Sequence, residues 1–131
     1  SVGIDQPKDE AEYNRPLQAI LRLKDKSVAT SGNYRKFYVK DGIKYSHIID
    51  PKTGYPVRHN PSLLSVTVVA SDCATADGYA TAIMAMGFEN AIKLLNSEHI
   101  NLQAYIIYAE KDGDWKVYIT NEMKDMIEEV K

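Results

Sequence analysis

The chain has 131 residues, a formal net charge of −2, 44% hydrophobic and 26% charged side chains, and nine tyrosines. That balance describes one soluble folded domain able to bury a core, and it excludes a disordered chain. Acids and bases alternate along the sequence without a basic run of nucleic-acid-binding type, and no apolar stretch approaches the ~20 residues of a membrane-spanning helix. Cys73 is the one cysteine, so an internal disulfide and a multi-cysteine zinc site are excluded, and the thiol is expected to be a small buried packing residue.

In chain order, Arg15 to Lys24 alternates apolar and polar residues behind Pro16 and predicts a strand. Ser27 to Thr30 predicts a short second strand running into Ser31-Gly32-Asn33. Asp41-Gly42, set between Lys36–Lys40 and Ile43–Ile49, predicts a hairpin closed by a type I′ turn. Asp50 to Pro56 is dense in turn residues and predicts a rigid turn, with Asp50 shaping it rather than doing chemistry.

Leu63 to Ala70 is the most β-prone stretch and predicts a central strand. Ser71 or Asp72 then caps a helix from Cys73 to about Met86, which Gly87 stops. Phe88 to Asn96 repeats apolar residues at helical spacing. Leu102–Ala109 and Trp115–Thr120 predict a second hairpin across residues 111–114. Met123, Met126, Ile127 and Val130 share one side of a terminal helix expected over Asn121–Val130. The expected fold class is α+β, a largely antiparallel sheet covered by helices, in a single domain spanning residues 1–131.

Three stretches can carry chemistry. Asp77 and Thr81 lie four residues apart on one helix face and offer two hard oxygen ligands of the kind Mg²⁺ takes, the remaining positions being filled by water or phosphate. The same residues also fit a structural role: Asp77 favouring the helix dipole, Thr81 bonding to the carbonyl one turn back. His47 stands three residues before the rigid turn, where an imidazole can donate to a phosphate oxygen or relay a proton, or can simply bond to the turn's backbone. Ser31 and Gly32 sit at a strand-to-loop transition whose hydroxyl and backbone N–H groups can line an anion site, although Ser-Gly-Asn is also a common turn composition. His59 and His99 read as surface residues.

Taken in order, these segments resemble the ApbE family over essentially the whole chain. The resemblance rests on Val2-Gly3-Ile4, Ala29-Thr30-Ser31-Gly32-Asn33-Tyr34, His47-Ile48-Ile49-Asp50-Pro51-Lys52-Thr53-Gly54 and Ala76-Asp77-Gly78-Tyr79-Ala80-Thr81-Ala82. It implies a T-fold-like architecture and the activity of an FAD:protein FMN transferase, which moves FMN from FAD onto a threonine of a target flavoprotein and releases AMP. It implies Asp77 and Thr81 as Mg²⁺ ligands, His47 as the catalytic residue, and Ser31, Gly32 and His47 in the FAD pocket. It further implies an extracytoplasmic bacterial protein, periplasmic or held at the membrane through an N-terminal lipid signal. The chain is then expected to be the C-terminal half of a longer protein, the missing half or a second copy completing the site. A family segment with a Lys-Gly pair, which supplies a further metal contact, has no counterpart here. The alternative is a fragment that binds FAD or a nucleotide, or serves as an interaction domain, without catalysis.

Overall fold

The protein is described by a computed structural model, covering residues 1–8, 16–34, 37–110, 114–128 and 130. Its elements are β1 (Val2–Asp5), β2 (Leu17–Leu21), β3 (Ser27–Gly32), β4 (Phe37–Lys40), β5 (Ile43–Ser46), β6 (Ser62–Ala70), α1 (Cys73–Met86), α2 (Phe88–Leu95), β7 (Gln103–Ala109), β8 (Trp115–Ile119), α3 (Asn121–Lys124) and β9 (Ile127–Glu128). The four strands β3-β6-β7-β8 form the main sheet, β1-β2-β9 a second sheet, and β4-β5 a separate hairpin. Every strand pair is antiparallel. The expected α+β class holds.

The main sheet is buried on both faces because its central strands alternate two sets of apolar side chains. Val66, Val68 and Ala70 of β6, with Ala104 and Ile106 of β7, meet Ala76, Ala80, Ile83 and Met84 of α1 and Ala91 of α2. On the other face, Val69, Tyr105 and Ile107 meet Ile4, Ala19 and Leu21 of the second sheet and Met123 of α3. Three layers result: helices, main sheet, second sheet. A β-bulge between Leu63 and Ser65 breaks the β6–β7 register. Leu63 consequently joins the helix-side core and Leu64 the opposite one.

Local chemistry accounts for the boundaries. Asp72 caps α1 through its carboxylate, which accepts the Thr75 N–H at 2.8 Å. Gly87 ends the helix at φ +83°, a conformation glycine adopts freely. Asp41 and Gly42 both have positive φ, 52° and 73°, as a type I′ turn between β4 and β5 demands. The turn expected at 111–114 falls mostly outside the described residues.

Two expectations are corrected. The helix expected over Asn121–Val130 stops at Lys124, and Ile127–Glu128 instead adds a strand to the second sheet. There Ile127 pairs with Leu21, and Arg22 donates its backbone N–H to the Met126 carbonyl at 2.8 Å. The apolar spacing of Met123, Met126 and Ile127 suits either conformation; the open edge of β2 decides between them. Cys73 is exposed on the first turn of α1 rather than buried, since the residues facing the core begin at Ala76.

Candidate functional site

Two strand ends and one turn build the site. At the end of β3, Gly32 pairs with Ser65 beside the β6 bulge, and Asn33 donates its backbone N–H to the Leu64 carbonyl at 3.1 Å. The bulge thus fixes where β3 leaves the sheet, a common use of bulges beside functional sites. The Tyr34 ring, 8% exposed, lies across Gly32: a Cβ at position 32 would stand 3.0 Å from Tyr34 Cε1. Thr30 Oγ1 shares a 2.8 Å hydrogen bond with Thr67 Oγ1 on the neighbouring strand.

His47 follows β5 directly. Ser46 and Ile48 on either side are buried, and Ser46 Oγ accepts the Ile48 N–H at 3.1 Å. Those anchors hold the backbone through a bend while His47 itself remains exposed. The turn beyond is closed by Asp50, whose N–H donates to the Tyr55 carbonyl, whose carbonyl accepts the Gly54 N–H, and whose Oδ1 accepts the Lys52 N–H, each at 2.8 Å. The Asp50 carboxylate is engaged in shaping the turn, as expected from sequence.

These pieces meet. A cleft of about 360 Å³ is lined by Gly3, Ile4 and Asp5 of β1, by Thr30, Ser31 and Gly32 of β3, and by Tyr34 and His47. Ser31, Gly32 and His47, singled out separately in the sequence, therefore share one wall-to-wall space between the two sheets. The cleft has room for a diphosphate or one ring system, at the small end of ligand pockets. Gly3, Asp5, Thr30 and Tyr34 had been given no role. Their place depends on β1 coming to lie beside β3, which no local pattern encodes; only the small residues at Gly3 and Gly32 hinted at close approach.

Asp77 and Thr81 lie outside that cleft lining, on the exposed face of α1. The helix itself packs on β3 and β6, the strands that carry Ser31 and the bulge. The first turn of α1 contains no acidic residue, so Asp77 lies past the position where a carboxylate meets the helix dipole. No group of three or more His, Cys, Asp or Glu side chains with metal-binding geometry occurs among the described residues. The donor set at α1 is thus one carboxylate and one hydroxyl, which fits Mg²⁺ completed by water and phosphate oxygens. His59, read as a surface residue, has a specific contact: its Nε2 lies 2.8 Å from the Ala85 carbonyl and its ring covers Gly87.

Comparison with known proteins decides the lineage. The ApbE family model matches residues 1–106. The chain belongs to the ApbE family. An ApbE relative from Vibrio cholerae named FAD:protein FMN transferase is 36% identical over 126 residues, covering 96% of this chain and 35% of its own length. The Escherichia coli K12 protein of the same name is also 36% identical, over 96% of this chain and 34% of itself. Among solved structures, the ApbE protein of Thermotoga maritima superposes with a TM-score of 0.76 at 31% identity, over 98% of this chain and 38% of that one. The flavin transferase ApbE of Vibrio cholerae superposes at 0.72 with 34% identity, over 95% and 37%. The chain therefore spans about a third of these relatives, not the expected half. No helix among the described residues is long and apolar enough to cross a membrane.

Proposed function

We propose that this chain forms part of a Mg²⁺-dependent FAD:protein FMN transferase, which esterifies a threonine of an acceptor flavoprotein with FMN and releases AMP. The observation that carries the reading is the convergence of Ser31, Gly32 and His47 on one cleft, in a chain whose relatives bear that name. In the reaction the threonine oxygen forms a bond to the FMN-side phosphorus. The bond from that phosphorus to the bridging oxygen breaks, and AMP leaves with the bridging oxygen.

The cleft residues have separate tasks. The Ser31 hydroxyl and the Gly32 backbone N–H, which points away from β6, donate to phosphate oxygens and hold the diphosphate in line, which is where most of the catalysis in phosphoryl transfer lies. His47, fixed by Ser46 and Ile48, takes the proton from the attacking hydroxyl as general base. Asp77 and Thr81 would hold Mg²⁺, which when bound offsets the charge of the diphosphate. Placement of the protein outside the cytoplasm, in the periplasm or at the membrane, is proposed on family membership alone; fractionation of cells expressing the tagged gene tests it.

The test is incubation with FAD, Mg²⁺ and a threonine-bearing acceptor domain, read by intact mass of the acceptor. It is run on the chain alone and on the longest polypeptide its gene encodes. Covalent FMN is expected on the acceptor. His47→Asn is expected to slow transfer by about 10²- to 10⁴-fold, the usual weight of a general base, with FAD still bound. Asp77→Ala should remove the dependence on Mg²⁺ concentration. FAD binding without any transfer by either polypeptide would replace this reading with that of a non-catalytic flavin-binding module.

A further inference from the structure

Among the described residues, β3 is the one unguarded edge of the two larger sheets, with β6 as its single strand neighbour. The other three edges carry the devices that keep edges from pairing with foreign chains. β1 has a bulge and a charge at Asp5. β9 is two residues long and includes Glu128, and β8 carries Lys116, paired with Glu110 at 2.7 Å. Ser27-Val28-Ala29-Thr30-Ser31-Gly32 has no charge, no proline and no side chain larger than valine.

The ladder fixes which backbone groups of that edge are open. Asn33 donates its N–H to the Leu64 carbonyl, so Ser31 and Ala29 also turn their N–H and C=O groups to β6. Val28, Thr30 and Gly32 turn theirs outward. The 2.8 Å bond between Thr30 Oγ1 and Thr67 Oγ1 fits this register, because side chains stand closer in pairs that exchange no backbone hydrogen bonds. The same three residues share the face towards the second sheet. There Val28 packs against that core, while Thr30 and Gly32 line the cleft. The open edge runs straight into the cleft.

If FMN is delivered to a protein threonine, the hydroxyl has to enter a space of about 360 Å³. An extended segment can put one side chain there, provided its own backbone N–H and C=O groups find partners. Val28 and Thr30 supply them, leaving the Gly32 N–H to the phosphate. Paired antiparallel, like every other strand here, such a segment carries the residue opposite Gly32 on the cleft face. Threonine, β-branched, suits a strand.

We propose that the acceptor docks by strand addition: an extended polypeptide segment pairs with the outward groups of Val28 and Thr30 and lays its threonine opposite Gly32, in the cleft lined by Ser31 and His47. This rests on the transferase reading and adds the mode of recognition, by main chain more than by side-chain sequence.

The probes are a short peptide of valine and serine around a central threonine and two backbone N-methylated forms of it. One is methylated on the second and fourth residues after the threonine, whose amides would face Thr30 and Val28; the other on the first and third, whose amides would face away. Binding to the longest polypeptide the gene encodes is followed by calorimetry and amide hydrogen exchange. The parent peptide is expected to slow exchange at Val28 and Thr30 by at least about tenfold. The first methylated form should bind at least about tenfold more weakly, and the second should match the parent. Val28→Pro removes one outward N–H and no bond to β6. It should weaken peptide binding about tenfold with FAD affinity unchanged; the methylated pair tests the same bonds on the wild-type fold.

Equal affinities of the two methylated forms overturn strand addition, as does unchanged peptide affinity in a folded Val28→Pro. Exchange at Val28 and Thr30 that is already slow without peptide assigns the edge to another segment of the same polypeptide. Exchange slowed only by raising protein concentration assigns it to a second copy. Either result overturns the proposal. The expected peptide pattern with no FMN transfer to the threonine leaves the docking mode standing and removes the transferase reading.

Discussion

At the level of single side chains, the network around Asp72 shows how local bonds translate into pH dependence. Thr75 donates both its backbone N–H and its hydroxyl to the Asp72 carboxylate, each at 2.8 Å. Those bonds, the backbone one foremost, hold the Asp72 carboxyl below its ordinary value of 3.8. A depressed folded-state value means the contribution to stability is complete above 3.8 and is lost as pH falls through the lower, folded-state value. Asp72→Ala is therefore expected to lower the thermal midpoint at neutral pH, and the gap from wild type should close as the solution is taken below pH 3.8. Melting curves across that range check it; a gap independent of pH would show that the carboxylate is not the cap. Asp72 was legible as a cap because an N-cap is a local event. Asp77 was not legible in the same way, because its four-residue spacing to Thr81 suits a pair of ligands and a structural role alike.

Among the elements, α1 and β9 mark the two extremes of what sequence reveals. Both ends of α1 are specified by residues within it or next to it, so its range is readable to the residue. The last strand is specified by a partner more than a hundred positions away, since Ile127 pairs with Leu21, and an amphipathic spacing cannot report that. The cleft suffers the same limit, because β1 contributes Gly3 and Asp5 only after pairing with β2.

The α1–α2 junction offers a sharp test of element-level causes. Gly87 has φ +83° and ψ 170°, and a Cβ there would stand 2.7 Å from His59 Cγ. Gly87→Ala should cost about 1–3 kcal/mol for the backbone conformation and should displace His59 from the Ala85 carbonyl. His59→Ala in the same background should then cost little more, because the contact is already broken. Denaturant titration of the double-mutant cycle measures this; full additivity would mean that Gly87 and His59 are independent.

For the molecule as a whole, the main sheet is a partition with a core on each side and the cleft at its second-sheet margin. Ile106 and Ile107 are adjacent on β7 and both fully buried, yet they serve opposite cores. Ile107 belongs to the core that carries Ile4, and Ile4 lines the cleft. Ile107 also pairs with Ser65, which pairs in turn with Gly32, so one cross-strand row runs from that core to the cleft wall. Replacing either isoleucine by alanine should cost about 2–5 kcal/mol through lost contacts and a residual cavity. Their effects on the site should differ. The cavity left by Ile107→Ala lies between the sheets and lets β1 relax relative to β3, which widens the cleft at its wall. Ile106→Ala leaves its cavity on the helix side, away from β1. On the proposed transferase reading, weaker FAD binding is therefore expected from Ile107→Ala than from Ile106→Ala at matched loss of stability, measured by calorimetry well below either unfolding transition. Equal affinities in the two variants would show that the cleft is held by its own strand ends and turns, independently of the core beneath it.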